Sequence, residues 1–269
     1  MDRPALSRLP AKLDTQKRAS QKRAAPKRAS RRPSPRGLRL GWGGFARRAA
    51  LLAALVLLVV PVAGVLIFRT LTPPPGLLPV ERIFQGKGFA RQWRPLGRIS
   101  PNLVYAVIAA EDAKFCVHHG FDEQAIEKAL THDEKHPGHV RGGSTISQQT
   151  AKNVFLWPAR DWARKGAEAW YTVLIENLWG KRRILEVYLN VVEWAPGVYG
   201  AEAASERWFH IHADQLTPQQ ADRLAAILPA PLKWKAATPG PYVRRRSGKI
   251  ARNVGAVRAD DLAACVLKR

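Results

Sequence analysis

The run Gly142-Gly143-Ser144-Thr145-Ile146-Ser147-Gln148-Gln149-Thr150-Ala151-Lys152-Asn153 says more than any other in this 269-residue chain. A Gly-Gly turn leads into two hydroxyls, two adjacent amides and a lysine. One meaning is a capped helix start. The other is a cradle for phosphate oxygens and sugar hydroxyls, groups that hydroxyls, amides and a cation bind well. A Walker loop is excluded, because the spacing from the glycines to Lys152 is wrong.

Downstream, Arg160, Arg164, Lys165 and Glu168 form a second cluster. On a helix Glu168 shares a face with Arg164 and Lys165, which fits surface ion pairing or a cationic clamp held by a carboxylate. Ala167, Trp170, Tyr171, Leu174 and Leu178 give that segment one apolar face, and Gly180 can end it. Lys181 to Asn190 carries Ile184, Leu185, Tyr188 and Leu189, a core-packing pattern. Tyr199-Gly200-Ala201-Glu202-Ala203-Ala204, then Trp208-Phe209, allows close helix approach. Thr217-Pro218-Gln219-Gln220 has the form of a capping box, opening a helix that ends before Pro229.

Upstream, Ser100-Pro101 is an N-cap followed by proline at the first helical position. Leu103, Val107 and Ala110 follow, then Glu111-Asp112. A carboxylate at the edge of an apolar helix can have a raised pKa and act as a general base. An acidic pair at a helix end is also often merely solvated. Strand-like alternation is scarce, so the domain is expected to be mainly α-helical.

Charge and hydropathy set the surroundings. The formal net charge is +23, which points to an anionic partner. Residues 1–48 hold fifteen Lys or Arg against only Asp2 and Asp14, with few large apolar residues, and read as a disordered basic tail. Residues 49–68 are uncharged. At ~1.5 Å rise these twenty residues reach ~30 Å, enough for one membrane span. The run is too long for a signal peptide and lacks a small-residue cleavage site. The positive-inside rule leaves the tail in the cytoplasm and everything after Arg69 outside. Residues 69–88 read as a linker, with Pro73-Pro74-Pro75 a stiff spacer. A domain follows over 89–241, then a basic tail over 242–269 with a short terminal helix. Trp157, Trp162, Trp170 and Trp179 divide between core and membrane interface. A basic tail cut off from the domain by the membrane meets anionic lipid headgroups, which argues against nucleic acid.

The two cysteines, Cys116 and Cys265, form no CxxC pair, and their spacing favours unpaired thiols. His132, His136 and His139 crowd one stretch. In "HDEKH" the glutamate is third, not second, and Pro137-Gly138 interrupts the helix, so no metal site is expected.

Taken in order, these segments resemble the glycosyltransferase family 51 domain over roughly residues 80–235, with "GGSTISQQTAKN", "RKGAE" and "ILEVYLN" carrying the resemblance. The resemblance implies a lysozyme-like fold with a membrane-associated lobe, behind one N-terminal transmembrane helix. It places the family's catalytic glutamate on Glu111 and its second glutamate on Glu168. Contacts to donor phosphate or sugar fall on Ser144, Gln148, Lys152 and Arg160. Cys116 stands where an aromatic residue is usual. The implied reaction polymerises lipid II into β-1,4-linked glycan with release of undecaprenyl diphosphate, at the outer face of the bacterial cytoplasmic membrane. The implied partners are lipid II, the growing glycan strand, membrane lipids and other cell-wall synthesis proteins. No cofactor is required, and a divalent ion at the diphosphate is left open. With no transpeptidase sequence after the match, a monofunctional enzyme is expected. A lytic enzyme on a related fold has no need of a diphosphate clamp, so Lys152 and Arg160 argue against it. A non-catalytic membrane scaffold would not need Glu111.

Overall fold

The computed structural model describes residues 42–135, 143–159 and 161–268. Contacts separate Met1–Ala46 from Arg47–Arg269, and only the opening of the first helix is described in the former. The rest of the basic segment, Arg160 and the run holding His136 and His139 lie outside the described residues.

From Trp42 to Phe68 the chain is helical: α1 (Trp42–Ala54), a π turn over Leu55–Val59, and α2 (Val60–Phe68). Gly44–Phe68 is the one described helix long and apolar enough to cross a membrane. Then come α3 (Leu77–Phe84), β1 (Ala90–Arg91), α4 (Pro101–Glu111), α5 (Glu123–Lys135), α6 (Ile146–Phe155), α7 (Trp162–Leu178) and α8 (Lys181–Val191). The chain closes with β2 (Glu193–Ala195), β3 (Val198–Tyr199), α9 (Ala201–Phe209), α10 (Pro218–Ile227), α11 (Pro241–Ala259) and α12 (Ala264–Leu267). The fold is mainly α, as expected. The small sheet has the order β1-β3-β2, with β1 parallel and β2 antiparallel to β3.

The caps read from sequence are present. Ser100 Oγ accepts from the Asn102 N–H at 3.3 Å and opens α4 behind Pro101. Thr217 and Gln220 form a capping box on α10. The α4 helix is the centre of the core. Leu103, Val104, Ala106, Val107 and Ile108 are all fully buried, and α10 and α11 both pack on this helix. The sequence pattern shows one apolar face; the structure buries nearly the whole helix.

The α2 helix packs on α7. Pro61 has no N–H for the carbonyl four residues before it, that of Leu57. The Trp170 Nε1–H donates to that carbonyl at 3.1 Å. Trp179 Nε1–H donates to the Val65 carbonyl at 2.7 Å, and the Trp179 ring is buried. Trp162, by contrast, is 92% exposed.

Three elements differ from the sequence reading. The expected linker contains α3, whose eight residues are too short for periodicity to stand out beside three prolines. The expected basic tail contains α11, a 19-residue helix that packs on α4 and α10. It buries Val243, Ile250 and Val257 on one seam while its arginines mostly face outward. The unpaired-thiol expectation is corrected: Cys116 and Cys265 form a disulfide, with Cα atoms 5.6 Å apart. The return of α11 over α4, with α12 resting on α8, brings ends 149 residues apart in sequence together. That closure cannot be read from spacing.

Candidate active site

Glu111 is the last residue of α4, and Asp112 leaves helical geometry at once (φ −163°, ψ 76°). The break sends the two carboxylates in different directions. Asp112 is buried, takes the Ile146 N–H at 3.0 Å and lies 2.9 Å from His118 Nε2. It fastens the turn after α4 to the start of α6. Glu111 instead opens on a cleft of about 630 Å³ that also contacts Ser144, Lys128, Arg246 and Lys249. Glu111 Oε2 accepts from Gln149 Nε2 at 3.0 Å, and Oε1 accepts from Arg246 Nη2 at 3.3 Å. Burial pushes the Glu111 carboxyl above its ordinary range, against the opposing pull of Gln149, Arg246 and Lys152. Tyr188 is fully buried beside it and holds its proton well above the usual phenol range. Its hydroxyl donates to Gln149 Oε1 at 3.4 Å, which turns the amide NH₂ toward Glu111.

The signature run supplies the next wall. Thr145 caps α6, with its Oγ1 accepting from the Gln148 N–H and the Gln148 side chain returning to the Thr145 N–H at 3.0 Å. Gln148 is therefore buried and occupied by the cap. Its neighbour Gln149 is the amide at the site, and the sequence reading passed it over. Gln149 also lines a second cleft of about 400 Å³, with Lys152, Arg164 and Arg82 around it. One amide thus separates a desolvated carboxylate from a cluster of cations.

The α7 helix is capped by Asp161, whose side chain accepts from the Arg164 N–H at 2.7 Å. Glu168 is 3% exposed and lies 2.7 Å from Arg164 Nη1. Lys165 Nζ pairs with its other oxygen. A solvated surface pair would not be buried this way. Arg160, the remaining expected contact, lies outside the described residues. Arg246 is a second site residue that sequence reasoning missed. Its signal was the seam of Val243 and Ile250, which puts α11 against the core, but the run Arg244-Arg245-Arg246 masks it.

A family model described as transglycosylase matches residues 79–254. The biosynthetic peptidoglycan transglycosylase of Caulobacter vibrioides is 55% identical over 228 residues, covering 83% of this chain and 99% of that protein. The one of Rhodospirillum centenum is 51% identical over 222 residues, covering 82% and 95%. The one of Pseudomonas aeruginosa is 51% identical over 203 residues, covering 73% and 87%. The match spans α3 to α11 and agrees with the lysozyme-like, mainly helical class expected from the motifs. The chain belongs to the transglycosylase family of glycosyl-transferring enzymes.

Proposed function

We propose that this chain polymerises lipid II into β-1,4-linked peptidoglycan strands and releases undecaprenyl diphosphate. One observation carries the reading: Gln149 joins the cleft of the partly buried Glu111 to the cleft of Lys152 and Arg164. A glycosyl donor on a diphosphate needs positive charge at its leaving group, and a sugar acceptor needs a base. Glu111 takes the proton from the acceptor hydroxyl as that oxygen bonds to the anomeric carbon of the donor. The anomeric carbon–oxygen bond to diphosphate breaks on the opposite face, and its electron pair leaves with the diphosphate. Inversion turns an α-linked donor into a β-linked product. Lys152, with Arg160 and Arg164, stabilises the departing charge. Glu168 orients the arginine and lysine beside it. Ser144, at the mouth of the Glu111 cleft, is assigned to sugar hydroxyls.

The same reading places the domain on the outer face of the cytoplasmic membrane, anchored by one span. The basic segment before the span supports this orientation. So does the disulfide, a bond that persists in oxidising compartments. The test is incubation of the purified protein with lipid-linked disaccharide diphosphate, followed by separation of polymer from monomer. Polymer is expected, and cleavage of added glycan without polymer would overturn the reading.

A further inference from the structure

The α3 helix has two faces with different chemistry. Leu77, Val80, Ile83 and Phe84 are exposed, Phe84 at 88%. On the other side Leu78 and Arg82, one helical turn apart, line the cleft of Lys152 and Arg164. The start of α3 is held close to α6. A Cβ on Gly76 would fall 2.3 Å from the Asn153 carbonyl oxygen, so only glycine permits this approach. The helix that carries Arg82 is thus seated next to the residue following Lys152.

The Arg82 side chain is fixed by its neighbours. Nε lies 3.2 Å and Nη2 3.5 Å from the two oxygens of Glu193, and Nη1 donates to Gln85 Oε1 at 2.9 Å. Glu193 is itself held by the Gly197 N–H at 3.2 Å. A guanidinium has five N–H donors, and these contacts use three. Tyr199 also lies beside the Arg82–Glu193 pair, and Arg82 still lines the cleft. Arg164 is arranged alike, paired with buried Glu168 and lining the same cleft. Three elements therefore bring Arg82, Lys152 and Arg164 to one space, and Leu78, Leu156 and Leu232 give it an apolar wall. Cations beside an aliphatic wall fit an aliphatic chain joined to a diphosphate.

We propose that Arg82 is a further cation of the diphosphate site, in addition to Lys152, Arg160 and Arg164, delivered by a helix with an exposed apolar face and oriented by Glu193. The proposal rests on reading this cleft as the diphosphate site. The test is calorimetric binding of farnesyl diphosphate and of inorganic diphosphate to the full chain in detergent micelles. Arg82→Gln removes a charge-assisted contact and is expected to weaken both by about tenfold. Arg82→Lys keeps the charge without the fork and falls between. Arg82→Gln combined with Glu193→Gln tests whether an orphaned carboxylate causes the loss. Binding that stays weak in the double variant supports a direct contact, and binding restored to wild type overturns it. If Lys152→Ala weakens both ligands and Arg82→Gln weakens neither, the Arg82 assignment fails alone. If neither variant matters, the diphosphate reading of the cleft fails with it.

Discussion

Gln149 Nε2 lies 3.0 Å from Glu111 Oε2, and the same amide accepts from Tyr188 through its oxygen. The order of this chain, from phenol to amide to carboxylate, fixes which end of Gln149 meets the base. The amide bond favours the ionised carboxylate and so holds its pKa below what burial alone would give.

Gln149→Leu is therefore expected to raise the Glu111 pKa further. Since the base works deprotonated, the acid limb of kcat/KM moves to higher pH. Turnover at neutral pH falls by about tenfold, the scale of one hydrogen bond to a charged group. A pH–rate profile with its acid limb unmoved would show that Gln149 does not tune the base.

The local parts of this candidate site were legible in the sequence, and the residues show where legibility stops. Ser100-Pro101, Thr145-Gln148 and Thr217-Gln220 are local signals, because a cap is complete within four residues. Glu168 with Arg164 and Lys165 is also local, one turn of helix. The resemblance pointed to Gln148 and passed over Gln149, because which amide reaches Glu111 depends on which side of α6 the core lies. Composition and periodicity do not separate Glu111 from Asp112; the resemblance pointed to Glu111, and the break after α4 gives the two carboxylates different partners. Arg246, Arg82 and the Cys116–Cys265 bond are contacts of long sequence separation, set by tertiary closure that periodicity does not report.

The disulfide closes a span of 149 residues around the domain. Replacing both cysteines by serine is expected to lower stability by about 2–4 kcal/mol, most of it through a freer unfolded chain. Thermal melting with and without a reductant checks this. Reductant should lower the melting temperature of the wild type and leave the double serine variant unchanged. Equal melting of oxidised wild type and serine variant would contradict a stabilising link.

The pairing of Trp170 with the Leu57 carbonyl makes a sharper prediction through Pro61. Trp170→Phe removes the donor and is expected to cost about 1 kcal/mol in detergent. Pro61→Ala restores a backbone N–H four residues after Leu57. In that background Trp170→Phe should cost less, giving a measurable coupling in a double-mutant cycle. Additive effects would mean that the indole does not replace the missing backbone donor.

Glu111→Gln is the most direct test of the mechanism. The amide keeps shape but cannot accept the acceptor's proton. The variant should not lose stability. A carboxyl whose folded pKa is raised contributes stability present below its unfolded pKa and lost as pH rises through the folded value. An amide undergoes no such loss, so melting at pH 7–8 should be equal or higher, with the advantage gone in acid. General-base catalysis contributes about 10²–10⁴-fold, so polymer formation should fall by that order while donor binding changes little. The measurement is single-turnover polymerisation of lipid-linked disaccharide beside donor binding, on the same folded sample. Retained binding with turnover reduced at least a hundredfold is the expected result; turnover near the wild-type rate would remove Glu111 from the mechanism.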